Sequence, residues 1–143
     1  MFTIEHHVGR LVEVRIATPV EEQEMPGIAQ QTHDVIESME GDFVAVMDLR
    51  EAHVFPQAVS DAFVHILSDN NPKLERSAFI IGDSAIFGMQ IERAIRQAGK
   101  PSRKAFRKAK ELESWLDELL RPSEQARLSK FLAEAPEPAL RPA

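Results

Sequence analysis

FVAVMDLR, Phe43 to Arg50, and SAFIIGDS, Ser77 to Ser84, decide how this chain folds. Each is an apolar run of strand length that stops at acidic and turn-forming residues. Nearly continuous apolar strands are those covered by helices on both faces, the pattern of parallel strands in an α/β sheet. After the first run, Ala58, Val59, Ala62, Phe63, Ile66 and Leu67 recur at helical spacing up to the stop at Asp69-Asn70-Asn71-Pro72. After the second, Phe87, Ile91, Ala94, Ile95 and Ala98 do the same and end at Gly99-Lys100-Pro101. The carboxyl ends of such strands are where α/β sheets gather ligands and partners. Asp48, Arg50, Asp83 and Ser84 stand there and are the first candidates for a site.

Working outward, Phe2 to Val8 reads as a strand, turned by Gly9-Arg10 into a second strand from Leu11 to Ile16. In that second strand Val12, Val14 and Ile16 share one face and Glu13 and Arg15 the other, which predicts burial on one side only. Thr18-Pro19 ends it. A helix follows, either with a short first turn over Val20 to Met25 or starting at Pro26, with Ile28, Val35, Ile36 and Met39 as its apolar stripe and Gly41 closing it. Toward the other end, Arg103 to Lys108 reads as a short basic edge strand around Phe106. Leu112, Trp115, Leu116, Leu119 and Leu120 then define an amphipathic helix, with Trp115 expected in the core. Pro122-Ser123 restarts a short helix carrying Leu128, Phe131 and Leu132.

The predicted architecture is α/β, a mixed four- to five-stranded sheet with helices packed on it, in the order ββαβαβαβα plus a C-terminal helical extension. The expected organisation is one domain over residues 1–121, an appended helix over 122–134, and a disordered tail over 135–143, which is rich in Pro and Ala without periodicity.

Composition narrows the function classes. A length of 143 residues with 43% hydrophobic content suits one domain with a real core, and no apolar run approaches the roughly twenty residues of a membrane span. The opening MFTIEHHVGR lacks the basic start and apolar stretch of a secretory signal, and cysteine is absent, so a cytoplasmic protein without disulfides or thiolate metal sites is expected. The formal net charge is −6, with acidic residues concentrated in the first third and basic ones from Arg93 to Lys110. The overall acidity argues against nucleic acid as the partner, and the basic stretch reads more simply as a solvated helix face and a protected sheet edge.

No residue set demands a catalytic reading. Asp48 and Arg50 could face a partner or an anion, or Asp48 could accept backbone hydrogen bonds in the loop after its strand. Asp83-Ser84 could offer an anion the N-terminus of the next helix, but without a glycine-rich loop or a suitably spaced lysine, simple capping is favoured. Asp61 and His65, four apart, share a helix face, yet Ser60 points elsewhere and no G-x-S-x-G elbow exists. His6, His7, His33, His53 and His65 lack metal-binding spacing, so neither a metal nor a cofactor is expected. Phe55, beside Pro56, reads either as an exposed interface aromatic or as a ring folded back over the next helix.

VMDLREAHVF (residues 46–55) and FIIGDS (residues 79–84), each before a helix, resemble the STAS family of anti-sigma-factor antagonists. SRKAFRKAKELESWLDELL (residues 102–120), with its Trp115-Leu116 pair, resembles a small bacterial branch of that family, and the likeness covers roughly residues 2 to 120. The resemblance implies a non-enzymatic regulatory or adaptor module that binds a protein partner around the loop from Asp48 to Gln57 and the helix after it. Family members carry a phosphorylated serine at the start of that helix. Here Gln57 or Ala58 takes its place, and Ser60 comes a turn too late. Related sheets also carry apolar ligands, so a small apolar ligand or lipid carrier is the alternative, and homodimerisation is left open.

Overall fold

A computed structural model describes residues 1–134; the stretch 135–143, expected to be a disordered tail, lies outside the described residues. The strands are β1 (Phe2–Val8), β2 (Leu11–Ile16), β3 (Phe43–Leu49), β4 (Leu74–Ile81) and β5 (Arg103–Phe106). The helices are α1 (Met25–Glu37), α2 (Gln57–Asp69), α3 (Ala85–Ala98), α4 (Ala109–Asp117) and α5 (Pro122–Ala133). The strands form one five-stranded sheet in the spatial order β1-β2-β3-β4-β5. β1 runs antiparallel to β2, and every other pairing is parallel. The expected α/β class with a mixed sheet is therefore the observed one.

The strand period of two sorts the core into two layers. Phe43, Ala45, Met47 and Leu49 of β3 face α1, α2 and α3, while Val44 and Val46 face α4 and α5. Every residue of β3 is buried, which is what a strand covered on both faces requires. The local stops act as their chemistry dictates. Ser84 caps α3 by accepting the Phe87 N–H at 3.1 Å, and Gly99 ends it at φ +90°. At the start of α1, a 3₁₀ turn over Glu22–Glu24 leads into a helix with Pro26 in its first turn.

Two expectations need correction. β2 is buried on both faces, with Leu11 fully buried and Glu13 only 2% exposed. The reason is α5, whose Leu128, Phe131 and Leu132 lie over that side of the sheet with Leu11, Val44, Val46 and Ile80. Trp115 is only half-buried at the margin of this layer. Its ring lies 5.6 Å from the Phe106 ring and carries the Arg76 guanidinium at 4.6 Å, while Leu112, Leu116 and Leu120 fill the interior.

Candidate functional site

The sheet places Asp48 beside Arg15, because the two residues are register partners across β2 and β3. Both side chains point toward α5. Arg15 donates to Asp48 Oδ2 at 2.5 Å, and Arg50 donates through Nε to Oδ1 and through a terminal nitrogen to Oδ2, both at 3.0 Å. The Arg50 backbone N–H also reaches Oδ1 at 3.0 Å, so Asp48 is both a loop acceptor and an ion-pair partner. The two arginines continue to the end of α5, Arg15 to the Phe131 carbonyl at 2.7 Å and Arg50 to the Leu132 carbonyl at 3.2 Å. One carboxylate between two guanidiniums leaves a positive excess, and the negative end of a helix dipole offsets it. Asp48 is 1% exposed, so this end of the sheet is closed by the chain itself.

Two further polar contacts fasten α5. Arg127 grips Glu13 with two hydrogen bonds of 2.7 Å, an interaction that holds the guanidinium above its ordinary pKa. Glu124, 1% exposed, accepts the backbone N–H of Arg10 at 2.6 Å and that of Arg121 at 2.8 Å. Burial works to raise the Glu124 carboxyl, but those two N–H donors and the charges of Arg10 and Arg121 outweigh it, leaving its pKa below the ordinary 4.5. Gly9, at φ +54°, faces the same carboxylate, and a Cβ there would overlap it. None of these long-range pairs was among the residues singled out from the sequence. The same register sets Glu5 opposite Glu13, and with His7 their ligand atoms lie within 4.8 Å of one another. Glu13 already holds Arg127 with both oxygens, and the other two members of that group pair with each other, His7 Nε2 lying 3.4 Å from Glu5 Oε1.

Phe55 lies on the opposite face. It is 4% exposed, not an interface aromatic, and packs edge-on against Phe63 at 5.6 Å and Phe87 at 5.3 Å. Turning Phe55 inward leaves its neighbour Val54 outward and 48% exposed. Beside it stand Ile86 and Met89 of α3, each 71% exposed. A groove of about 520 Å³ runs between α2 and α3 with Val54, Ile86 and Met89 along it, and Gln57 and Ser60 on the α2 side. Gln57 donates to Asp61 at 2.8 Å, so Asp61 is engaged on its N-terminal side. Asp83 is exposed just before the capping Ser84.

The predicted site residues therefore divide. Asp48 and Arg50 lie under α5; Gln57, Asp83 and Ser84 stand at the starts of α2 and α3; Phe55 supports the loop between them from inside. The apolar residues at the same end, Val54, Ile86 and Met89, escaped the sequence reading. Ile86 and Met89 sit three apart, away from the stripe of Phe87 and Ile91, and that mismatch was the available signal.

The basic stretch does not form one face. Arg103 is buried and its side chain donates to the Leu67 carbonyl and, at 2.6 Å, to Asn71; burial pushes its pKa down to about 10. Lys100 reaches the Asn71 carbonyl at 2.7 Å, and Arg107 the Gly82 carbonyl. Arg93 and Arg96 carry neither a hydrogen bond nor an ion pair among the described residues. Among these residues no helix is long and apolar enough to cross a membrane.

Fold and surface define the class: an α/β domain whose sheet is sealed at one carboxyl corner by its own last helix and lined at the other by exposed apolar side chains. Compared with models of known protein families and with curated proteins, the chain matches none of them.

Proposed function

We propose that the protein is a non-enzymatic adaptor or regulatory module of STAS-like character that docks another protein, in the cytoplasm, at the carboxyl edge of its sheet. The observation that carries this reading is the cluster of Val54, Ile86 and Met89 beside the α2–α3 groove. Three large apolar side chains exposed together at a sheet edge mark an interaction surface. The buried carboxylate at this edge supports a structural role over catalysis, since both oxygens of Asp48 are taken up by Arg15 and Arg50. With Gln57 and Ala58 at the start of α2, docking is not switched by a phosphoserine at that position.

The carrier alternative has less support. The space left between the sheet and α1 and α2, lined by residues such as Val14, Ile36 and Phe63, amounts to about 60 Å³. That is room for about two water molecules, against the several hundred Å³ of ordinary ligand pockets.

Site-specific photo-cross-linking in cells tests the docking reading. A benzoylphenylalanine in place of Met89 is expected to give a discrete protein adduct that the same group in place of exposed Lys130 on α5 does not. Identical adducts from both positions, or none from Met89, would overturn it.

A further inference from the structure

We infer that the partner presents an amphipathic helix whose apolar stripe continues into acidic residues; the inference rests on the docking reading above. Ile86, Met89, Arg93 and Arg96 follow one another at spacings of three, four and three residues along α3. That spacing keeps them in one row on one side of the helix. The row is apolar in its first half and basic in its second. It borders a groove whose other wall is α2, the geometry in which an amphipathic helix lays its apolar face. From Ile86 to Arg96 the row spans roughly 15 Å, about three turns of a docked helix.

The charges select the occupant, since the groove's lining sets two arginines against the one carboxylate of Glu92. Arg93 and Arg96 are exposed and unpaired among the described residues, so each gains by meeting a carboxylate. A second copy docking through this same row does not satisfy them. A parallel α3–α3 contact sets arginine against arginine, and an antiparallel one lays guanidinium groups on Ile86 and Met89. A bilayer is a poorer match as well, because the apolar side chains border a concave groove and the chain carries a net charge of −6.

Selection of a displayed library of helical peptides on the full chain tests this. The expected winners carry apolar residues three or four apart followed by Asp or Glu. Their affinity is expected to fall about tenfold or more with I86D/M89D or with R93E/R96E. Exchanging the peptide's acids for lysine is expected to restore binding to R93E/R96E. All these substitutions fall at exposed positions, and circular dichroism is the check that each variant folds. Winners lost in I86D/M89D but neutral or basic in character would overturn the acidic partner and leave the docking face standing. No winner sensitive to I86D/M89D would overturn both. Binding to phosphatidylserine vesicles, lost in both double variants while no peptide binds, would assign the row to a membrane surface and overturn the inference.

Discussion

Gln90 of α3 holds Phe55 by both of its backbone groups, accepting the Phe55 N–H at 2.8 Å and donating to the Phe55 carbonyl at 2.9 Å. The side-chain amide thereby acts as a strand partner for a residue that belongs to no strand. It fixes which way the loop after β3 turns, with Phe55 inward and Val54 outward. Gln90→Leu is expected to cost about 2 kcal/mol in urea unfolding, from two lost hydrogen bonds of ordinary strength. Hydrogen exchange at the Phe55 amide should accelerate in the variant; unchanged protection would show that the loop is held by packing alone.

Phe55 and Val54 should separate stability from binding. Phe55→Ala removes a buried ring that touches Phe63 and Phe87, and a loss of about 3–5 kcal/mol is expected. Val54→Asp, at a position that is 48% exposed, should change stability by no more than about 0.5 kcal/mol. If the two variants proved equally destabilised, the loop would not have the inside and outside described here.

The Glu13–Arg127 pair attaches α5 through a buried carboxylate. Arg127→Met leaves Glu13 buried without its counter-charge, and a cost of about 3–5 kcal/mol is expected. Adding Glu13→Leu to the same chain should recover most of that loss, because two apolar side chains of similar volume suit this layer. Chemical denaturation of the single and double variants is the measurement. A double variant no more stable than the single would mean that the pair specifies the seating of α5 in a way packing cannot replace.

Glu124 gives the fold an acid-sensitive latch. Its carboxyl titrates below its ordinary value when folded, so the stabilisation is present above about pH 4.5 and is lost as pH falls through the lower folded value. Stability measured across that window should fall less steeply in Glu124→Gln than in the parent chain. An unchanged slope would assign the acid sensitivity to other carboxylates.

Element order was legible because its signals are local. The apolar runs of β3 and β4, the stop at Asp69 to Pro72 and the glycine after α3 act through periodicity and backbone preference over a few residues. β4 nevertheless begins at Leu74, three residues before the apolar run. β3 pairs with Leu74 and then with Arg76, the register skipping Glu75, and the polarity of these two residues hid the strand: Glu75 binds Arg10, and Arg76 reaches the Trp115 carbonyl at 2.6 Å. Ser84 was readable as a cap for the same local reason, while Phe55 could not be assigned a side until Phe63, Phe87 and Gln90 surrounded it.

From the sequence alone came an α/β domain, the order of its strands and helices, and the two loops at the carboxyl edge. Only the tertiary structure decided that one corner of that edge is closed and the other exposed. Closure depends on Arg127 meeting Glu13 from 114 positions away, and on Arg15 and Arg50 reaching the last carbonyls of α5. Exposure depends on how α3 is rotated against α2, which turns Phe87 and Ile91 inward and leaves Ile86 and Met89 outside. Periodicity is a property of neighbours along the chain, whereas these meetings are set by strand register and helix docking, which no short window of residues contains.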